Sequence, residues 1–228
     1  MLARDVMTRN VVTVAPDTPV SEIARLLLEK RISGVPVVEP DGRLVGIVSE
    51  GDLMRRVEEG GARRGSWWLA MLGIPEERAL EYVRTHGRHA RDVMTRQVIT
   101  VSPDTPIGKV ARLLEEEHIK RVPVVEDGRL VGIISRADLL RAIASREEAP
   151  PATADDRELR ERLLRELEAA GLDYHPYVNI VVSDGIVHLW GLVSSKAEAE
   201  ALRVAAESVE GVRGVDSHLA VLPATAHL

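Results

Sequence analysis

The chain has 228 residues, 45% of them hydrophobic and 29% charged, enough for a buried core in one or two soluble domains. A formal net charge of −6 argues against nucleic acid as the main partner, and the absence of cysteine excludes disulfides, thiolate metal sites and cysteine nucleophiles. Phe is also absent, so the cores must be built from Val, Leu, Ile and Ala.

The N-terminal stretch MLARDVMTRN is charged and lacks the apolar core of a signal peptide, and no apolar run is long enough to span a bilayer. A cytoplasmic protein is expected. VVTV (11–14) predicts a short strand. In PDTP, Thr18 is placed as helix N-cap with Pro19 at the first helical position. Val20, Ile23, Ala24 and Leu27 then recur at helical spacing and give one apolar face. VPVV (35–38) predicts a buried strand, PDG (40–42) a hairpin turn and RLVGIV (43–48) the partner strand. SEGDLMRRV opens a further helix, so the order is β-α-β-β-α over residues 1–53.

Residues 54–90 form an insertion with its own turn glycines and the pair Trp67–Trp68. Basic residues beside these Trp suit an interfacial membrane helix or, as the favoured reading, a packing or dimer-contact segment. HGRHARD holds His86 and His89, but no acidic ligand stands at useful spacing and no metal site is expected. The first phrase then returns over 91–145: Met7 recurs as Met94 and Gly46 as Gly132, and one residue is dropped at the Pro40 turn. The chain therefore carries two copies of one structural unit.

A polar linker with two prolines (146–156) leads to a different unit over 157–223. Leu159, Leu163, Leu164 and Leu167 mark an amphipathic helix, with Gly171 as its stop. Val178, Ile180 and Val182 alternate as a strand, Asp184-Gly185 is a two-residue hairpin turn and IVHLWGLV is the partner strand. Ser195 and Glu198 form a capping box at the next helix, Gly211 ends it, and VDSHLAVL is a last strand. The order is α-β-β-α-β, a mixed α/β (α+β) unit with one sheet. His188 and Trp190 share one strand face and read as ordinary half-buried sheet residues.

The phrase Ser-x-x-Asp occurs at Ser49–Asp52 and Ser135–Asp138. One reading is a capping box, contributing about 1 kcal/mol to each helix. The other places a phosphate at the helix N-terminus and a ribose diol on the Asp, with Gly46 leaving room for a backbone or a base.

DVMT, VPVV and G.LVGI.S..D, each present twice, together with TPV.E.A.LL, resemble the CBS domain family. The resemblance implies a pseudo-twofold pair of β-α-β-β-α repeats with two clefts for an adenine nucleotide or S-adenosylmethionine. It implies that the motif Ser contacts phosphate and the motif Asp holds ribose. It also implies clefts that mix the repeats: Ser49 and Asp52 with Ile99, Ile119, Lys120 and Arg121, and Ser135 and Asp138 with Val12, Ile32, Ser33 and Gly34. Only the first grouping carries cations for phosphate; against this, Lys120 and Arg121 also fit a solvated helix end. The C-terminal unit resembles a BON domain through V.IVVSDGIVHLWGLV and VEGVRGVDSHLAVL. That family implies contact with phospholipid or other envelope components.

The expected function is a non-enzymatic sensor with an adenine nucleotide as regulatory ligand and no required cofactor, coupled to the BON unit. The alternative is a constitutive dimeric scaffold in which the BON unit alone binds phospholipid or a protein. No nucleophile, base and orienting residue stand together in the sequence, so no enzyme is expected. A homodimer is expected through the apolar faces at Val20, Ile23 and Leu27 and at Val110, Leu113 and Leu114.

Overall fold

A computed structural model describes residues 1–59, 86–144, 154–172 and 178–222. The Trp67–Trp68 pair and most of the linker lie outside the described residues. The chain divides into two compact units, one of Met1–Val11, Thr100–Glu126 and Val131–Leu228, the other of Val12–Ile99 and Asp127–Leu130. These units cut across the sequence repeats. Each repeat opens on a one-turn helix, α1 (Ala3–Val6) or α4 (Ala90–Val93), and each of these helices lies in the unit built on the other repeat.

In the unit of repeat one, α2 (Val20–Glu29) packs on the hairpin of β1 (Gly34–Val38) and β2 (Leu44–Ser49), and α3 (Glu50–Glu59) follows directly. Ile23 and Leu27 meet Val35, Val37, Val48, Val93 and Met94 in the core. Each such burial contributes about 1.5–3 kcal/mol. Two local expectations shift. VVTV is not a full strand; it joins β1 by one parallel bridge, Val14 to Val37, because the chain turns where the Ala15 carbonyl accepts Thr18 N at 3.0 Å. Thr18 does not cap α2 either: Pro19, at ψ 141, is still extended and takes the N-cap position, without a side-chain cap.

The sequence suggests room at Gly46 for a backbone or a base. A side chain enters instead. A Cβ there would stand 2.4 Å from Met94 Sδ, and at Gly132 the equivalent Cβ would stand 2.5 Å from Met7 Sδ. The backbone beside each Met pairs with the strand that carries the glycine, Thr95 with Ile47 and Thr8 with Ile133. The Gly of each VGI phrase is therefore explained by the incoming methionine.

In the other unit, α5 (Ile107–Glu116), β3 (Arg121–Glu126), β4 (Arg129–Ser135) and α6 (Arg136–Ala144) repeat this pattern. The C-terminal module adds α7 (Ala154–Ala169), β5 (Val178–Ser183), β6 (Ile186–Val193), α8 (Lys196–Ser208) and β7 (Gly214–Val221), in one sheet of order β5-β6-β7. Asp184 and Gly185 both have positive φ, 51° and 71°, as the two-residue turn between β5 and β6 requires. Strands β6 and β7 are parallel, and α8 supplies the crossover that parallel neighbours need.

Strand β5 departs from simple alternation: every residue in it is buried. Val178, Ile180 and Val182 join the core of the module. Asn179, Val181 and Ser183 point the other way, onto the side where α1 packs, and Asn179 Nδ2 donates to the Val6 carbonyl at 2.8 Å.

Arg160, 4% exposed, fastens the same contact. It donates from Nε to the Ile180 carbonyl at 2.7 Å, from Nη1 to the Arg4 carbonyl at 2.9 Å and from Nη2 to the Met7 carbonyl at 2.9 Å. Carbonyls at a helix C-terminus lack partners within the helix, and a guanidinium fork satisfies them. Arg157 adds a two-pronged bond to buried Asp5, and Arg9 pairs with Glu161.

Ile23, Leu27, Val110 and Leu114, expected at a dimer contact, are instead buried within their own units, because the helical stripe they form faces its own hairpin. The exposed apolar side chains are others, among them Leu28, Met54, Leu140 and Ile143. No described helix is long and apolar enough to cross a membrane.

Arg160→Ala should destabilise the unit by about 3 kcal/mol or more, because buried carbonyls lose their donor. Arg160→Lys should recover only part of this, having no fork. Denaturant unfolding of the full chain checks both; a loss below that of an exposed substitution would remove Arg160 from this role.

Candidate functional site

The two Ser-x-x-Asp phrases fold alike. Each Ser ends a strand and each Asp lies in the first turn of the following helix. Asp52 Oδ2 accepts from Ser49 N at 2.8 Å and Ser49 Oγ at 2.7 Å. Asp138 Oδ2 accepts from Ser135 N and Oγ at the same distances, and Asp138 N donates back to Ser135 Oγ at 3.3 Å. Locally, then, both phrases are capping turns.

The segment before each VPVV lies against the turn of its own repeat. Gly34 is the register partner of Ser49, and the Ser33 carbonyl accepts Glu50 N at 3.1 Å. In repeat two, Arg121 opens β3 beside the end of β4, and the Lys120 carbonyl accepts Arg136 N at 3.2 Å. So Ser33–Gly34 accompany Ser49–Asp52, and Lys120–Arg121 accompany Ser135–Asp138. The cross-repeat groupings expected from the sequence draw on both compact units: Ile119, Lys120 and Arg121 belong to one with Ser135 and Asp138, and Val12, Ile32, Ser33 and Ile99 belong to the other with Ser49 and Asp52. Val12, Ile32, Ile99 and Ile119 are all partly exposed.

Surroundings separate the two aspartates. Asp52 is partly exposed, and Ser49 is its only hydrogen-bond partner among the described residues, through Oδ2. Asp138 is 3% exposed. Its Oδ1 accepts from Arg141 Nη1 at 2.9 Å and from Asn179 Nδ2 at 3.3 Å. Asn179 belongs to the C-terminal module, so that module reaches the motif Asp of repeat two. Sequence reasoning missed Asn179. Its one signal was a lone amide among the aliphatics of VNIVVS.

Beside α2 and α3, in the unit of repeat one, lies a largely apolar cavity of about 840 Å³ whose lining includes Val20, Leu27, Leu28, Leu53, Arg88 and His89. On the module's sheet, His188 and Trp190 are more than isolated strand residues. Burial pushes the His188 imidazole below its ordinary pKa, against the pull of the Asp216 carboxylate on the neighbouring strand.

The CBS domain family matches residues 3–59 and 90–145, and the BON domain family matches 155–223. An uncharacterized protein of Methanocaldococcus jannaschii is 36% identical over 154 residues, which are 63% of this chain and 91% of that protein. The chain belongs to the CBS domain family. It is a tandem CBS pair followed by a BON domain. The crystal structure of CBSX2 of Arabidopsis thaliana in complex with AMP is 32% identical with a TM-score of 0.56, over 64% of this chain and 99% of that one. The CBS pair of protein MJ0100 in complex with 5′-methylthioadenosine and S-adenosyl-L-methionine is 25% identical with a TM-score of 0.50, over 64% and 98%. Longer relatives are spanned only in part, 57% of one and 42% of another. Some relatives are enzymes that carry such segments, and the CBS pair spans 23% and 24% of two of them.

The aspartates should differ in stability as they differ in partners. Asp52→Ala should cost about 1 kcal/mol, the value of a cap. Asp138→Ala should cost about 2–3 kcal/mol, because it also removes charged hydrogen bonds from Arg141 and Asn179. Equal losses in denaturant unfolding would mean that the Asn179 contact contributes nothing.

Proposed function

We propose that this chain is a nucleotide-responsive regulatory protein in which the BON domain senses ligand at Asp138. The observation that carries the proposal is the shared carboxylate. A ribose diol needs the motif carboxylate as acceptor, and Asp138 Oδ1 already accepts from Asn179 and Arg141. Ribose and Asn179 therefore compete for one oxygen. By linkage, a docked BON domain weakens ligand binding at Asp138, and bound ligand weakens docking to the same extent. At Asp52 the second oxygen has no partner among the described residues, so a ribose there displaces nothing.

The ligand class is an adenine nucleotide or S-adenosylmethionine, in keeping with the AMP and S-adenosylmethionine bound by the two similar CBS pairs. Ser49 and Ser135 would meet phosphate at their helix N-termini. Val12, Ile32, Ile99 and Ile119 would line base pockets, and Ser33 leaves its side of the Asp52 turn uncharged. We assign Lys120 and Arg121 to a ligand at the Ser135 turn, beside which they stand, rather than to the Ser49 turn that the family resemblance implies. More highly charged nucleotides then favour the Asp138 site and loosen the BON domain, while less anionic ligands suffice at Asp52. The protein would act in the cytoplasm without catalysis of its own.

A second reading is favoured by the exposed Leu28, Met54, Leu140 and Ile143. In it the CBS pair is a constitutive homodimer and the BON domain alone binds, for instance, phospholipid.

Calorimetric titration with AMP, ATP and S-adenosylmethionine distinguishes the two. Asn179→Ala should raise nucleotide affinity at the Asp138 site several-fold, and Arg121→Ala should lower it roughly tenfold, the worth of one charge-assisted bond. Asp52→Ala should remove only the other site. If none of the three compounds binds the wild type and sedimentation shows a stable dimer, the scaffold reading stands. If Asn179→Ala leaves every affinity unchanged, the BON domain does not sense the ligand.

A further inference from the structure

We propose that His188, Asp216 and His218 form a binding site for a divalent transition-metal ion on the BON sheet. The register of β6 and β7 builds it. His188 lies opposite Asp216, and Trp190 lies opposite His218. Side chains two apart on a strand share a face, so these four residues form one patch across two parallel strands. Val187 and Leu189 point the other way, into the core.

The distances suit a metal. His218 Nε2 stands 2.9 Å from Asp216 Oδ2, and His188 Nδ1 stands 3.4 Å from the same oxygen. One ligand atom from each of the three residues falls within 4.8 Å of the others. Ligands about 2.0–2.2 Å from a tetrahedral zinc stand about 3.3–3.5 Å apart, so small side-chain adjustments would close the site. Trp190 stacks on His218 with ring centroids 3.8 Å apart and an interplanar angle of 14°, which holds that imidazole in place.

A hydrogen-bonded Asp216–His218 pair accounts for only part of this arrangement. It leaves His188 Nδ1 buried, 3.4 Å from Asp216 Oδ2 and outside good hydrogen-bond geometry. Buried polar atoms are ordinarily satisfied, and an orphan has a reason. A cation bound between the three residues would take its lone pair. Two imidazoles and one carboxylate are borderline ligands suited to zinc, copper, nickel or iron, not to calcium or magnesium. Three protein ligands also leave at least one coordination position open for water or an exogenous ligand. This site is independent of the nucleotide reading.

The test uses tag-free, metal-stripped full-length protein, titrated with Zn²⁺ by calorimetry and with Co²⁺ by visible absorption. One equivalent of metal should bind, with a cobalt d–d band. His188 is mostly buried and its truncation can unfold the sheet, so the deciding variants are His218→Ala and Asp216→Ala, on side chains 39% and 52% exposed. Each should weaken binding roughly tenfold or more. The double variant His86→Ala/His89→Ala should bind as wild type does. Absence of binding by wild-type protein at micromolar metal, or binding left unchanged by both deciding variants, overturns the site.

Discussion

The buried guanidinium of Arg160 fixes where the BON domain stands. A charge taken out of water is tolerated only where acceptors surround it, and Arg160 finds the Arg4, Met7 and Ile180 carbonyls. Those acceptors belong to the first residues of the chain and to β5. Helix α1 is thereby held against the BON sheet, and β5 is buried on both faces. Once β5 lies there, Asn179 arrives at Val6 and Asp138 together. The most consequential contact at the candidate site follows from an arginine that lies on a different helix from either motif Asp.

Two repeats of nearly one sequence are thus put to unequal use. Asp5 and Asp92 are equivalent in sequence, yet Asp5 receives Arg157 from the BON domain. Asp92 accepts from the backbone N–H groups of Arg88 and His89, both at 3.0 Å. Burial raises the Asp92 pKa, but those two amides together with His89 and Arg91 outweigh it and hold the carboxyl below its ordinary value. Asp52 and Asp138 divide in the same way. Duplication gives two copies of the Ser-x-x-Asp turn, and the third domain singles out one. Asymmetry of this kind gives two turns of one sequence different hydrogen-bond partners.

Legibility followed contact range. The Asp184-Gly185 turn, the Ser195–Glu198 cap and the Leu159, Leu163, Leu164 and Leu167 stripe were readable because their partners lie within a few residues or on one regular face. Thr18 was misplaced as a cap by one residue because Pro19 fits either side of a helix boundary, and its ψ decides which. VVTV looked like a strand by composition, but the turn at Ala15 leaves room for a single bridge. At the site, Ser49, Asp52, Ser135 and Asp138 were visible as a repeated phrase. Asn179 and the His188–Asp216–His218 patch were not, because the residues that give them meaning lie on other elements.

The sequence by itself determined the helix-hairpin-helix order of each repeat, the duplication, the domain families and the local geometry of both Ser-x-x-Asp turns, all of which rest on short-range backbone and side-chain rules. Only the tertiary structure decided which repeat receives each opening ARDVM segment, why Gly46 and Gly132 must lack a side chain, and which motif aspartate the BON domain covers. The physical reason is distance along the chain. Arg160 and Arg4 are 156 positions apart, and Asn179 and Asp138 are 41 apart. Periodicity cannot specify such pairs, which are fixed when the packed elements bring buried donors to the acceptors they need.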